Sequence, residues 1–249
     1  MRQLIKTALV IVTLSFSATS SALTIDLTGV LRDISKLHED FQNWCCGSVT
    51  GLVEPTLGAD GTPVFVEGES VSDAENFSDW YADGENHFGE VNHTITLDNT
   101  ITADPNVYTY SSNSFFPLDG LLGGHEGYGH NYHFTFRLNS AFTYQGGEMF
   151  TFTGDDDVWV FINDQLVIDL GGVHAADTKS VYLDDLGLVV GEDYSFDLFF
   201  AERHTTESNF RIDTSIQLTD RTAVPEPSTL LLLGLGLLGL GAARRKMKL

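Results

Sequence analysis

Gly154-Asp155-Asp156-Asp157-Val158-Trp159-Val160-Phe161-Ile162-Asn163-Asp164-Gln165-Leu166-Val167-Ile168 decides the fold class. Val158–Ile162 is a short apolar run rich in β-branched and aromatic residues. It lacks the alternation of a half-buried strand, so it predicts a central strand covered on both faces. Asn163-Asp164 tolerates positive φ and separates it from a second β-rich run, which predicts a two-residue hairpin.

Outward from this hairpin, the period stays near two. In Asn131–Leu138, Tyr132, Phe134, Phe136 and Leu138 alternate with Asn131, His133, Thr135 and Arg137, the pattern of a strand with one wet face. On that reading His133 faces solvent. Asn209–Leu218 repeats the pattern through Phe210, Ile212, Ile216 and Leu218, and Tyr194–Phe200 repeats it with Phe199 on the wrong side. Phe142–Phe152, broken at Gly146-Gly147, supplies two more strands. Leu23–Pro117 is richer in Asp, Asn and Gly, and there Ile34, Leu37, His38 and Phe41 predict one short helix over Asp33–Phe41. The expected fold is an all-β antiparallel sandwich with long loops over residues 23–220, flanked by an N-terminal signal helix and a C-terminal transmembrane helix.

The two ends carry that expectation. Arg2 and Lys6, an uncharged run from Thr7 to Ser17 and Ser20-Ser21-Ala22 have the three-part layout of a secretory signal peptide over residues 1–22. Residues 221–249 form a tail, reached through a short tether, Thr219–Pro227. In it Pro225-Glu226-Pro227 precedes an uncharged stretch, about 228–243, and the basic end Arg244-Arg245-Lys246. That stretch falls short of the roughly 20 residues of a comfortable span, and its basic end belongs on the cytoplasmic side. Between Leu23 and Val224, seven Lys and Arg face thirty-four Asp and Glu, a net charge of −27. No basic patch is present for phosphate, which argues against nucleic acid as a partner. An acidic surface suits divalent cations. The two cysteines, Cys45 and Cys46, are adjacent. Their Cα atoms lie about 3.8 Å apart across a trans peptide, closer than the usual disulfide range of about 4.4–6.8 Å, so a strained vicinal bridge, an intermolecular link and free thiols all stay open.

Three consecutive carboxylates beside the most buried strand repel one another unless cations or donors neutralise them. Hard cations such as Ca²⁺ take six to eight oxygens, which such a loop supplies; capping of turns by accepted backbone N–H bonds is the other reading. His125-Glu126-Gly127-Tyr128-Gly129-His130 lacks the zincin spacing, since the two His are five apart with two Gly between. Glu202-Arg203-His204 reads as a structural pairing of Arg203, for instance with the Asp cluster, rather than as acid–base chemistry. Neither a nucleophile elbow nor a phosphate loop occurs, and no spacing singles out a carboxylate pair for glycoside hydrolysis. The sequence thus predicts a chain that is not an enzyme.

Two resemblances sharpen this. Pro225-Glu226-Pro227, the apolar span and Arg244-Arg245 resemble the PEP-CTERM sorting signal. That likeness implies recognition and cutting by an exosortase-type enzyme, transient inner-membrane anchoring, and delivery to the cell envelope, surface or extracellular matrix where an exopolysaccharide is made. Arg32-Asp33-Ile34, Leu57–Val64, Trp80-Tyr81, Phe115–Gly120, Phe152–Asn163 and Phe200–Phe210 together resemble the fibro-slime domain family, which in turn is similar to the protective-antigen-type β-sandwich. In flocculin-type adhesins of that superfamily an Asp pair, seven and six residues before the Ile that closes the strand, binds Ca²⁺ and through it sugar hydroxyls, aided by a later Asn. Carried onto this chain, the resemblance implies Asp155, Asp156 and Asn209 as Ca²⁺ ligands, with Asp157 where the superfamily often has Gly. It implies glycan or exopolysaccharide as partner. The alternative is a purely structural matrix protein that recognises no sugar.

Overall fold

A computed structural model describes residues 23–42, 47–82, 84 and 86–220. The predicted signal helix over 1–22, the tail over 221–249 with its apolar stretch, and Cys45 and Cys46 lie outside the described residues. Among the described residues no helix is long and apolar enough to cross a membrane.

The strands are β1 (Thr24–Ile34), β2 (His87–Asp98), β3 (Tyr108–Ser112), β4 (Phe134–Thr143), β5 (Met149–Gly154), β6 (Asp157–Ile162), β7 (Gln165–Leu170), β8 (Asp177–Tyr182), β9 (Asp193–Glu202), β10 (Phe210–Thr214) and β11 (Thr219–Asp220). Every pairing is antiparallel. They form one hydrogen-bonded path, β7-β6-β9-β4-β1-β2-β3-β10-β5-β8, with β11 on β4. At β2–β3 the path is held by a single residue pair, Asp98 with Thr109, and there it folds over on itself. The resulting two layers are β7-β6-β9-β4-β1-β2 and β3-β10-β5-β8.

Between the layers lies an aromatic core in which Phe150 meets Phe196 at 4.9 Å, Phe200 meets Phe210 at 5.2 Å, and Phe115 stacks on Phe210 at 4.5 Å. Such ring pairs add to the area they bury. β6 is buried at every residue, as its unbroken apolar run predicts. Val158, Val160 and Ile162 enter the inter-layer core, while Trp159 and Phe161 enter a second core on the outer face. That second core is closed by the segment preceding β2, through Phe41, Leu52, Val53, Phe77 and Trp80. The Asn163-Asp164 hairpin forms with φ of 52° and 60° at its two residues.

Three expectations need correction. Asp33–Phe41 is not a helix: β1 runs through Ile34, and successive turns follow, with N–H bonds from His38 to Ser35 O and from Phe41 to His38 O. These i→i+3 turns bury residues at nearly helical spacing, and Leu37 stays 74% exposed. The one α-helix among the described residues is Ala74–Asp79, capped by Asp73, whose carboxylate accepts from Asn76 N. The wet face assigned to Asn131–Leu138 is buried at Asn131, His133 and Thr135, because the second core covers it. His133, expected to face solvent, is 2% exposed. Burial lowers its pKa to about 4, with Lys36 and His204 adding to the effect, so the Glu126 carboxylate 3.7 Å away makes no ion pair at neutral pH.

Candidate functional site

The turn between β5 and β6 joins the two layers, and it carries the three Asp residues. Gly154 ends β5 opposite Phe210 of β10. A Cβ there would lie 2.4 Å from Asn209 O, so only glycine allows the turn to approach the strand beside it. Asp155 and Asp156 follow, joined by a cis peptide bond.

Each carboxylate has a different set of partners. Asp155 is held to Asn209: its Oδ2 accepts from Asn209 Nδ2 at 2.8 Å, its Oδ1 from Asn209 N, and its own N–H donates to Asn209 O. Asp156 accepts backbone N–H bonds from His174 at 3.2 Å and Arg203 at 2.9 Å. Asp157 accepts from Gly172 N at 2.6 Å and from Arg203 Nε at 2.6 Å, with no exposure of either side chain. The structure therefore brings Asp155, Asp156 and Asn209 together, and it pairs Arg203 with the Asp cluster as the sequence predicts.

Arg203 has further anchors. Its Nη1 donates to Asp40 O and Ser70 O, its Nη2 to Ser70 Oγ, and its guanidinium lies 4.7 Å from the Trp80 ring. The Asp157 carboxylate is thus matched by one buried cation that donates three further hydrogen bonds, as buried charges require.

Sequence reasoning missed Glu202. It ends β9 beside Phe134 of β4, is 1% exposed, and its Oε2 has no hydrogen-bond partner among the described residues. With Asp155, Asp156, His174, His204 and Glu207 it lines a cleft of about 490 Å³. Burial raises the Glu202 carboxyl well above its usual range, and repulsion from Asp156 and Asp155 adds to this. Burial likewise pushes Asp156 to about 7, with Asp157 raising it further and Arg203 opposing. Burial raises Asp155 as well, against its bonds to Asn209. The only sequence signal for Glu202 was its place before Arg203.

The histidine-rich loop does not build a comparable site. His130 Nδ1 lies 2.7 Å from Asp119 Oδ2 and its ring stacks on Phe116 at 4.0 Å. Among the described residues no three His, Cys, Asp or Glu side chains gather closely enough to hold a metal by themselves.

Comparison with known proteins gives two family matches. The PA14 domain model matches residues 123–228, which contain Asp155, Asp156, Glu202 and Asn209, and the PEP-CTERM protein-sorting motif matches residues 223–246. The chain is thus similar to the PA14 domain over residues 123–228 and to the PEP-CTERM motif at its end, and it has relatives among the psi proteins of Dictyostelium discoideum. It is 42% identical to protein psiD over 216 residues, covering 79% of this chain and 42% of psiD. It is 41% identical to protein psiQ over 228 residues, covering 85% of this chain and 23% of psiQ. The chain spans less than half the length of these relatives. Among solved structures, the PA14 domain of the MpAFP antifreeze protein is 11% identical at a TM-score of 0.36, covering 85% of this chain and 90% of that one.

Proposed function

We propose that this PA14-domain chain is an exported surface or matrix protein, not an enzyme, whose Asp155–Asp156 turn takes Ca²⁺ and through it the hydroxyls of a glycan or exopolysaccharide. The observation that carries the reading is the orphaned Glu202 oxygen in a cleft already lined by Asp155 and Asp156. Three carboxyls whose ionised forms are disfavoured by burial and mutual repulsion, with one buried oxygen lacking a hydrogen-bond partner, form a hard oxygen environment that a bound cation would relieve. Asp155, Asp156 and the Asn209 side-chain amide would hold the ion, with the remaining positions left to main-chain, water or sugar oxygens. When bound, Ca²⁺ would polarise and orient vicinal sugar hydroxyls. The protein would supply the position and the cleft.

Export and surface delivery are supported by the PEP-CTERM match, which is our reason for assigning Pro225, Glu226, Pro227, Arg244 and Arg245 to an exosortase-type enzyme. The membrane would be a transient partner through residues 228–243. Calorimetry with Ca²⁺ on the wild type and Asp156→Ala tests the site. Binding in the wild type and none in the variant is expected; equal, undetectable heat in both leaves a structural matrix protein. A glycan array with and without chelator then decides whether sugar is recognised.

A further inference from the structure

A second cleft, of about 210 Å³, opens on the outer face of β1, β2 and β4 and shares no residue with the first. Its walls follow from register. Arg32 of β1 lies opposite Glu90 of β2 and Thr135 of β4, while Arg137 of β4 lies between Val30 of β1 and Phe199 of β9. Period-two alternation puts Arg137 and Asn139 on the face that carries Thr135, and Tyr81 closes the cleft from the covering segment.

Two of the seven basic residues between Leu23 and Val224 line this small space in a chain that is otherwise strongly acidic. Arg32 is matched by Glu90 at 2.8 Å. Arg137 has no carboxylate within 4 Å among the described residues; its Nη2 donates to Gly61 O at 2.9 Å and its guanidinium lies 5.5 Å from the Phe199 ring. Its Nε–H is buried without an acceptor. Tyr81 is 7% exposed, packs edge-on against the same Phe199 ring at 5.0 Å, and its hydroxyl is also buried without a partner. Two unsatisfied donors, one of them cationic, therefore flank one aromatic ring at one cleft. Buried donors left without acceptors are costly, and an arginine with an open N–H matches a planar carboxylate.

We infer that this cleft binds a small organic carboxylate of the size of one sugar acid, its carboxylate accepting from Arg137 and Tyr81 and its hydroxyls meeting Asn139 and Thr135. The space lies below the roughly 300–1,000 Å³ of drug-sized pockets, so it admits a single ring and not a polymer strand laid flat. This inference stands apart from the calcium reading, and the test removes calcium.

Saturation-transfer NMR on the full chain in EDTA, with D-glucuronate and its neutral twin D-glucose as probes, tests it. Transfer to glucuronate and none to glucose is expected. Tyr81→Phe and Arg137→Gln should each weaken glucuronate binding roughly tenfold or more, the scale of a lost hydrogen bond to a charged group. Far-UV circular dichroism reports whether each variant folds; Tyr81→Phe removes only the unpartnered oxygen and carries the test if Arg137→Gln does not fold. Equal transfer to both sugars, no transfer to glucuronate, or unchanged binding in folded Tyr81→Phe would overturn the inference.

Discussion

Arg203 Nε donates to Asp157 Oδ2 at 2.6 Å with both side chains fully shielded from solvent, so the first residue of β6 and the residue after β9 form one buried ion pair. Removing one partner strands the other charge. Arg203→Met is expected to destabilise the fold by about 3–5 kcal/mol, because the buried Asp157 carboxylate would lose its cationic partner and keep only the Gly172 N–H bond. Arg203→Lys should recover only part of this, since an ammonium cannot reach Asp157, Asp40, Ser70 and the Trp80 face together. Urea unfolding of both variants is the measurement.

Asn163 and Asp164 both hold positive φ in the β6–β7 hairpin. A β-branched residue there meets the left-handed penalty of roughly 1–2 kcal/mol. Asn163→Val should lower the urea midpoint accordingly without changing the slope of the transition.

His133 is neutral in the fold and protonates only near pH 4, against 6.5 ordinarily. The unfolded chain therefore takes up a proton first, and stability falls as pH drops from about 6.5 toward 4. The contribution is on the order of 3 kcal/mol. Buried Asp156 and Glu202, with raised pKa values, run the other way: the native state keeps their protons where the unfolded chain has lost them. The difference between the wild type and His133→Gln across pH 4–7 isolates the histidine. A flat difference would remove the assignment.

Asn209 anchors Asp155 through its side-chain amide and backbone N–H. Asn209→Ala removes the amide alone. Ca²⁺ affinity in calorimetry is expected to fall about tenfold, as for loss of a group that orients or ligates the ion, while unfolding free energy changes by about 1 kcal/mol.

The hairpin, the doubly covered β6 and the pairing of Arg203 with the Asp cluster were legible because each follows from local composition. The burial of Asn131, His133 and Thr135 was not. Period two tells which side a residue faces, but whether that side is covered depends on Phe41 and Trp80, remote in sequence. The same limit misled the reading of Asp33–Phe41, where turns over a core mimic helical spacing. Asp155, Asp156 and Asn209 were singled out together through family resemblance alone; Asp155 is hydrogen-bonded to Asn209, while Asp156 is held by the backbone of His174 and Arg203. Glu202 stood in the sequence only as the neighbour of Arg203, because its orphaned oxygen is set by the β4–β9 register and the cluster around Arg203.

β11 is two residues long, and it occupies the β4 edge that β1 leaves free, with Ser140 Oγ donating to Thr219 O and Thr219 Oγ1 to Ala141 O. It works as a short zip that fixes the slack of everything after it. From Asp220 to Pro225 the chain can reach roughly 17 Å at full stretch. Unzipping both residues would lengthen the leash by only about 7 Å. An enzyme that binds Pro225-Glu226-Pro227 would then hold its motif within roughly 17 Å of the sandwich, and would have to fit the outline of a domain as well as the motif.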